Sequence, residues 1–352
     1  MPGKILVTGA TGFVGARLVR RLVDDGHRVK AMVRASSSLR MLRDLPPEQL
    51  EIVEGDVLMG ATVFRALAGC DRLFHVATMT KFWDRTPGLI EQTAARGTEL
   101  VMEMARRRGV SRVVFTSSVA TLGALASEGE MDETHELNLA DPDEYVRGKH
   151  RAEQIALSHA SSGLEVVAVL PGVIVGPGDW KPAPGGKGIL AFLGWSAPLV
   201  DFPVLGGGIN GVDVDDVVGG HVLAMEKGRS GERYILGGEN ATFEQFFNML
   251  AEVSGLPSPG GPVSKGLAEL LGRLLELRAR LTGKEPDFTY REARDFGAAY
   301  SWVTSKKAED ELGYTHRPLR RALARAVQWY LANGYVKPAD VARIRVDLRL
   351  PA

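Results

Sequence analysis

The sequence predicts an α/β fold: a Rossmann-like, doubly wound parallel sheet with a smaller, mostly helical C-terminal lobe. Three observations carry that expectation. Short apolar runs at 5–7, 28–33, 51–53, 72–76, 112–116 and 165–170 alternate with longer helical patterns. Several of these runs are β-branched and nearly free of charge inside, as strands covered on both faces must be. A glycine-rich turn, Gly9-Ala10-Thr11-Gly12-Phe13-Val14-Gly15, joins the first run to the first helical pattern.

The helical patterns fall at 13–25, 36–44, 59–68, 88–108 and 142–160, each between two apolar runs. Arg106-Arg107-Arg108 close the 88–108 pattern, where positive charge complements the helix dipole. After Pro171 the texture changes. Residues 171–211 concentrate Gly and Pro and read as a loop-rich lid with one short helix near 188–196. Residues 215–226 read as a helix capped by Asp215, followed by a short strand at 233–236. From 242 onward the pattern is mostly helical. The stretch 264–281 carries Leu267, Leu270, Leu271, Leu274, Leu275 and Leu277 interleaved with Glu269, Arg273, Arg278 and Arg280. It is amphipathic and is expected to pack over the second lobe; a lid facing lipid or a hydrophobic substrate is the alternative. These readings divide the chain into a dinucleotide-binding domain at 1–170, with 212–236 returning to it, and a substrate-binding lobe at 171–352.

Length and composition bound the function. The chain has 352 residues, enough to bury a full core, and its 45% hydrophobic and 24% charged residues suit a soluble globular protein. Lys and Arg total 43, as do Asp and Glu, so no net charge points toward nucleic acid. The single cysteine, Cys70, rules out an internal disulfide and fits a reducing compartment. No signal peptide and no stretch long enough to span a membrane is visible, so a cytoplasmic protein is expected. Seven histidines show no pair at metal-ligand spacing, and no metal is expected. His75 reads as structural. Phe82 and Trp83, after the fourth apolar run, could face a substrate or pack as part of a lid.

The glycine turn has the context that dinucleotide binding needs: it follows a strand and opens a helix. Gly9 permits a tight turn, Gly12 lets backbone amides approach a pyrophosphate, and Gly15 lets the helix pack close to the sheet. The end of the second strand chooses between NAD and NADP. Arg34 stands there, 19 residues after Gly15, beside Ser36-Ser37-Ser38 and with no carboxylate nearby. A guanidinium beside hydroxyls suits a 2′-phosphate, so NADP is favoured, with NAD possible.

Tyr145 and Lys149 stand at i, i+4 in a predicted helix and therefore share a face. A free tyrosine, with a pKa of about 10, exchanges protons poorly at neutral pH, and a neighbouring ammonium lowers that value. Lys149 could also hydrogen-bond the nicotinamide ribose. The apolar run at 112–116 ends in Ser117-Ser118, at the strand end where open parallel sheets bind ligands. A serine there can hold a carbonyl oxygen while Tyr145 supplies the proton.

With these motifs in hand, the chain resembles the extended short-chain dehydrogenase/reductases, the NAD-dependent epimerase/dehydratase family. The resemblance covers nearly the whole chain. It rests on 8–15, Gly55-Asp56-Val57, Phe74-His75-Val76-Ala77, Phe115-Thr116-Ser117-Ser118, Tyr145 with Lys149, and Leu170-Pro171-Gly172-Val173-Ile174-Val175-Gly176-Pro177. Within the family it is most similar to the dihydroflavonol-4-reductase and 3β-hydroxysteroid dehydrogenase group. Through Tyr234-Ile235-Leu236-Gly237-Gly238-Glu239-Asn240 it is similar to bacterial hopanoid-associated sugar epimerase-like proteins. The resemblance implies Ser118, Tyr145 and Lys149 as catalytic residues. For the cofactor it implies Gly9, Thr11, Gly12, Phe13, Val14, Gly15, Asp56, Val57, Ala77, Thr78, Ser117, Tyr145, Lys149, Pro171, Gly172 and Val173, beside Arg34.

Three departures bear on activity. Ala94-Ala95-Arg96-Gly97-Thr98 stands where the family usually has an asparagine. No arginine precedes the segment 212–216 to hold a pyrophosphate-linked sugar, and Val119-Ala120 follow Ser118 where dehydratases place an acid. The expected activity is therefore NADP(H)-dependent reduction of a ketone or aldehyde to an alcohol, or the reverse, on a hydrophobic small molecule. A nucleotide-sugar epimerase with tightly held NAD(P), and a non-catalytic NADP-sensing protein, are the alternatives. A monomer or homodimer is expected.

Overall fold

The computed structural model describes residues 3–345 except 81–82, 85, 196–200, 284–285 and 287. In chain order its strands are β1 (Lys4–Thr8), β2 (Val29–Val33), β3 (Leu50–Glu54), β4 (Cys70–His75), β5 (Arg112–Thr116), β6 (Glu165–Pro171), β7 (Val173–Val175), β8 (Gly208–Asp213), β9 (Arg233–Leu236), β10 (Glu239–Thr242) and β11 (Tyr300–Ser301). Its α-helices are α1 (Phe13–Asp24), α2 (Gly60–Ala66), α3 (Leu89–Arg108), α4 (Glu144–Ser158), α5 (Pro184–Leu193), α6 (Val214–Lys227), α7 (Phe243–Ser254), α8 (Lys265–Thr282), α9 (Tyr290–Phe296), α10 (Lys306–Leu312), α11 (Leu319–Ala332) and α12 (Pro338–Val341).

Seven strands form the main sheet, in the order β3-β2-β1-β4-β5-β6-β9, parallel at every pairing. Each of the six apolar runs became one of its strands. Side-chain alternation splits them between two cores. Ile5, Val7 and Val114 pack with Leu18 and Leu22 of α1 and Val217 and Val218 of α6. Leu6, Val113 and Phe115 pack with Val63 of α2, Val101 and Met102 of α3, and Ala152 and Ala156 of α4. A sheet covered in this way exposes its strand ends and, at the edge strand β3, part of a face, while its central strands are buried on both sides.

The pattern at 36–44 does not become a helix. Isolated turns stand there instead, Ser37 N–H donating to the Arg34 carbonyl at 2.9 Å and Leu42 N–H to that of Leu39 at 2.8 Å. Serine hydroxyls compete for local backbone groups, which disfavours a helix at Ser36-Ser37-Ser38. The apolar spacing has another cause: Leu42 and Leu45 anchor this loop in the core.

The lid expected at 171–211 contains strands. β7 and β8 join β10 and β11 in a second sheet, with β8 at its centre. A third core packs α5, α7 and α11 against it through Ile189, Phe192, Phe246, Leu250, Leu323 and Val327. The chain passes directly from the first sheet to the second at Gly172, between β6 and β7, and at Gly237-Gly238, between β9 and β10; in between it returns from β8 to β9 through α6. α5 starts at Pro184, earlier than expected, with the proline in its first turn.

Two local readings change. Asp215 does not cap α6; Asp213 does, accepting from the Asp215 amide at 2.8 Å. Asp215 is instead claimed by Arg17 of α1 and Arg325 of α11. On α8 the leucines face outward and the small residues Ala268, Gly272 and Ala279 are buried. Arg106, Arg107 and Arg108 do lie in the last turn of α3, two of them paired with Glu103.

Asp213 is fully buried and also binds Arg317 at 3.3 Å and Arg325. Asp213→Ala removes a helix cap together with charge-assisted hydrogen bonds, and is expected to cost about 2–3 kcal/mol. Equilibrium unfolding in urea measures this, and a loss under about 1 kcal/mol would show that the arginines re-pair without it.

Candidate active site

All the strands of the main sheet are parallel, so their C-terminal ends share one edge. That edge brings together the glycine turn after β1, Arg34 after β2, Asp56 and Val57 after β3, Ala77 and Thr78 after β4, Ser118 after β5, and Pro171 to Val173 at the end of β6. β1 lies between β2 and β4, where the winding reverses, and Gly9 and Ala77 meet at that switch point.

The turn fits a pyrophosphate. Gly9 has φ +68°, and a Cβ there would stand 2.7 Å from the Ala77 nitrogen. A Cβ on Gly15 would stand 2.1 Å from the Gly9 carbonyl oxygen, so α1 approaches the turn as only glycine allows. Gly12 is exposed before α1, and no side chain caps that helix. The first-turn amides, at Phe13, Val14 and Gly15, are thus available to an anion. The Val14 side chain is buried in the core, so this residue can contribute only its backbone. Thr11 and Phe13 are partly exposed on the turn.

Behind the turn, Thr8 Oγ1 accepts from the Ala77 amide at 3.2 Å and pairs with His75 Nδ1 at 2.8 Å. His75 Nε2 pairs with Thr98 Oγ1 at 3.2 Å. Burial presses the His75 pKa down to about 3, so the ring is a neutral brace between β4 and α3. Arg34 is exposed, and its guanidinium has no hydrogen-bond or ion-pair partner among the described residues. Asp56 Oδ1 accepts from the Leu58 amide at 2.9 Å, fixing the turn after β3. Trp83 is partly buried beyond β4; Phe82 lies outside the described residues.

The helix α4 begins at its cap Asp143, whose carboxylate accepts from the Val146 amide at 3.0 Å. Tyr145, Lys149 and Glu153 follow at i, i+4 and i+8 on one face. The Ser118 side chain is near enough to the Tyr145 hydroxyl to draw its pKa down. Ser118 Oγ accepts from the Ala120 amide at 3.2 Å, at the start of a short 3-10 turn. Lys149 is buried and donates to the Thr116 carbonyl at 2.7 Å. Burial brings its pKa down to about 7, against the opposing charge of Glu153.

Two expectations need correction here. Lys149 does not lower the Tyr145 pKa in this structure. Burial pushes the tyrosine above its ordinary value of 10, the Ser118 side chain pulls the other way, and Asp143 adds to the rise. Lys149 directs its ammonium to Thr116, and its own depressed pKa weakens its field at neutral pH. Ser117, expected to contact the cofactor, turns away from the crevice. Its buried hydroxyl donates to Glu153, because strand alternation points it at α4.

Glu153 was not singled out, although its i+8 spacing from Tyr145 was a readable signal. It is buried, accepts from Thr121 Oγ1 at 3.2 Å and pairs with Arg233 at 3.1 Å. The missing asparagine also has a structural counterpart. Ala94 is buried where α3 meets α4, and its methyl group faces Gly148, where an added Cβ would stand 3.2 Å away.

Asp143 is buried with Oδ2 unpaired, and desolvation raises its pKa from 3.8 to about 6. Between those values the folded state holds a proton that the unfolded chain has released, so stability falls as pH rises through that window. Asp143→Asn keeps an acceptor for the Val146 amide and is expected to flatten the fall. Unfolding at pH 4 and pH 6.5 checks it; equal slopes in both proteins would refute the assignment.

Residues 5–237 match the NAD dependent epimerase/dehydratase family. A provisionally named dihydroflavonol 4-reductase of Synechocystis sp. is 36% identical over 340 residues, covering 94% of this chain and 95% of that protein. Sterol demethylase protein B of Methylococcus capsulatus is 33% identical, covering 94% and 99%. The crystal structure of gox2253 superimposes with a TM-score of 0.82 at 35% identity, covering 95% of this chain and 100% of that one.

Proposed function

This chain belongs to the NAD dependent epimerase/dehydratase family, and on that premise we propose that it is an NADP(H)-dependent oxidoreductase interconverting a ketone or aldehyde and its alcohol. One observation carries the reading: the end of β5 brings Ser118 beside Tyr145, and the Lys149 amine is anchored there on the Thr116 carbonyl, two residues before Ser118.

The dinucleotide supplies a hydride at C4 of its nicotinamide. The glycine turn at 9–15 binds its pyrophosphate, and Asp56 and Val57 flank the adenine. Arg34, exposed and unpaired among the described residues, takes the 2′-phosphate that distinguishes NADP. Ala77, Thr78, Pro171, Gly172 and Val173 line the nicotinamide side. Ser118 Oγ donates a hydrogen bond to the substrate oxygen, and Tyr145 delivers the proton to the nascent alkoxide. Lys149 holds the nicotinamide ribose and, with a cofactor in place, favours the phenolate. Residues 1–170 with 212–236 carry the cofactor, and the remainder shapes the substrate site. The substrate in this reading is a hydrophobic small molecule. Similarity to a sterol demethylase protein and to a dihydroflavonol reductase points the same way. No described helix is long and apolar enough to cross a membrane, and the lone Cys70 is buried, in keeping with a reducing cytoplasmic setting.

A panel of steroid, flavonoid and isoprenoid carbonyls, with NADPH oxidation followed at 340 nm, tests the proposal. Tyr145→Phe is expected to lower turnover by a factor on the order of 100 or more while NADPH affinity stays within about threefold. Full activity in the Phe variant would refute the mechanism. An epimerase would instead purify with cofactor bound and show no net NADPH consumption.

Arg34→Ala should raise KM for NADPH on the order of tenfold or more and leave KM for NADH nearly unchanged. A wild type that prefers NADH would remove NADP from the proposal.

A further inference from the structure

The outward leucines of α8 have no role in the chemistry above. Leu267, Leu270, Leu271, Leu274, Leu277 and Leu281 are between 37% and 80% exposed. Exposed large hydrophobics elsewhere among the described residues are scattered; here six lie on one 18-residue helix. The opposite face explains the orientation. Ala268, Gly272 and Ala279 are buried, and a Cβ on Gly272 would stand 2.8 Å from the Tyr290 backbone of α9. The small residues let α8 lie close on α9 and leave the leucine face without a partner among the described residues.

The charges choose among possible occupants. Leu267, Leu270, Leu274, Leu277 and Leu281 are spaced three and four apart, as in a coiled-coil seam. Beside that seam stand Arg273 and Arg280 on one flank and Arg278 on the other. A second copy docked in either orientation would set guanidinium against guanidinium at every charged flanking position, along a seam of only two heptads. The two acids of the helix, Glu269 and Glu276, turn toward the protein and are partly buried; Glu276 accepts from the Tyr290 amide at 2.9 Å. An apolar stripe with an all-cationic margin complements an anionic lipid surface. With six charged residues α8 lies on a membrane and does not cross it.

We propose that α8 is an interfacial helix that docks this protein on anionic phospholipid membranes. The contact places the bilayer near the chemistry. α9 is tied to the segment just before the catalytic helix, Arg291 donating to the Pro142 carbonyl at 3.2 Å and Arg294 pairing with Asp141 at 3.5 Å. Lipid binding itself assumes nothing about the reaction catalysed.

Flotation of the full chain with vesicles tests the proposal, using 70:30 phosphatidylcholine:phosphatidylglycerol against phosphatidylcholine alone. The wild type is expected to float with the anionic vesicles, and 0.5 M NaCl to weaken that binding. Leu270→Ser/Leu274→Ser/Leu277→Ser should reduce it at least about tenfold at unchanged thermal midpoint and elution volume. Arg273→Gln/Arg278→Gln/Arg280→Gln should bring binding down to the level on neutral vesicles. A wild type that floats with neither vesicle, leucine changes without effect on binding, or a leucine variant that turns a wild-type dimer into a monomer would each overturn the proposal, the last by assigning the face to a second copy.

Discussion

A buried amine must find an acceptor, and Lys149 finds the carbonyl of Thr116. That bond pins the end of β5, and the side chains on either side of it complete the clamp. Thr116 Oγ1 bonds His221 Nε2 at 2.9 Å on the α6 face, and Ser117 bonds Glu153 on the α4 face. His221 Nδ1 lies 2.7 Å from the Val217 carbonyl, which can only accept, so Nδ1 carries the hydrogen and Nε2 receives one from Thr116. With the strand held on both faces and at its carbonyl, Ser118 is the first residue free to turn toward the crevice.

The electrostatics of this region follow from burial. Desolvation presses His221 to about 4 and Lys149 to about 7, so the imidazole stays neutral and the amine sits near its midpoint at physiological pH. The lasting charges are Glu153 and Arg233, paired and nearly enclosed. Glu153 serves three donors at once, Ser117, Thr121 and Arg233, while its negative charge keeps the pKa of Lys149 from falling further. One carboxylate behind the site therefore orders the strand end and helps set the protonation of the amine in front of it.

The main sheet was legible because most of its strands are apolar runs separated by strongly periodic helices. The second sheet was not. β7, β10 and β11 have three, four and two residues, too short for a period-two pattern, and β8 hides behind Gly208, Asn210 and Gly211. These strands exist because of partners distant in sequence. Tyr145 and Lys149 were legible from spacing and residue type. Glu153 sits at the same spacing but calls for knowledge of what lies behind Ser117. α8 was legible as amphipathic and misleading as to direction. Its apolar face was expected inward, whereas its stripe of small residues decided the packing, since close approach of two backbones depends on what is missing from the interface.

Asn210, buried at the centre of β8, touches both places where the chain passes directly from the first sheet to the second. Its Oδ1 accepts from the Gly238 amide at 2.8 Å, and its Nδ2 donates to the Gly238 carbonyl at 3.2 Å and to Asn240 at 2.8 Å. The same side chain lies against Gly172 at the other crossing. The three hydrogen bonds, at about 1 kcal/mol each, hold the start of β10 against β8 just where the chain arrives from β9. One amide at the centre of the second sheet therefore also sets the path by which the chain leaves the first, so the smaller sheet is indexed to the larger by a single side chain.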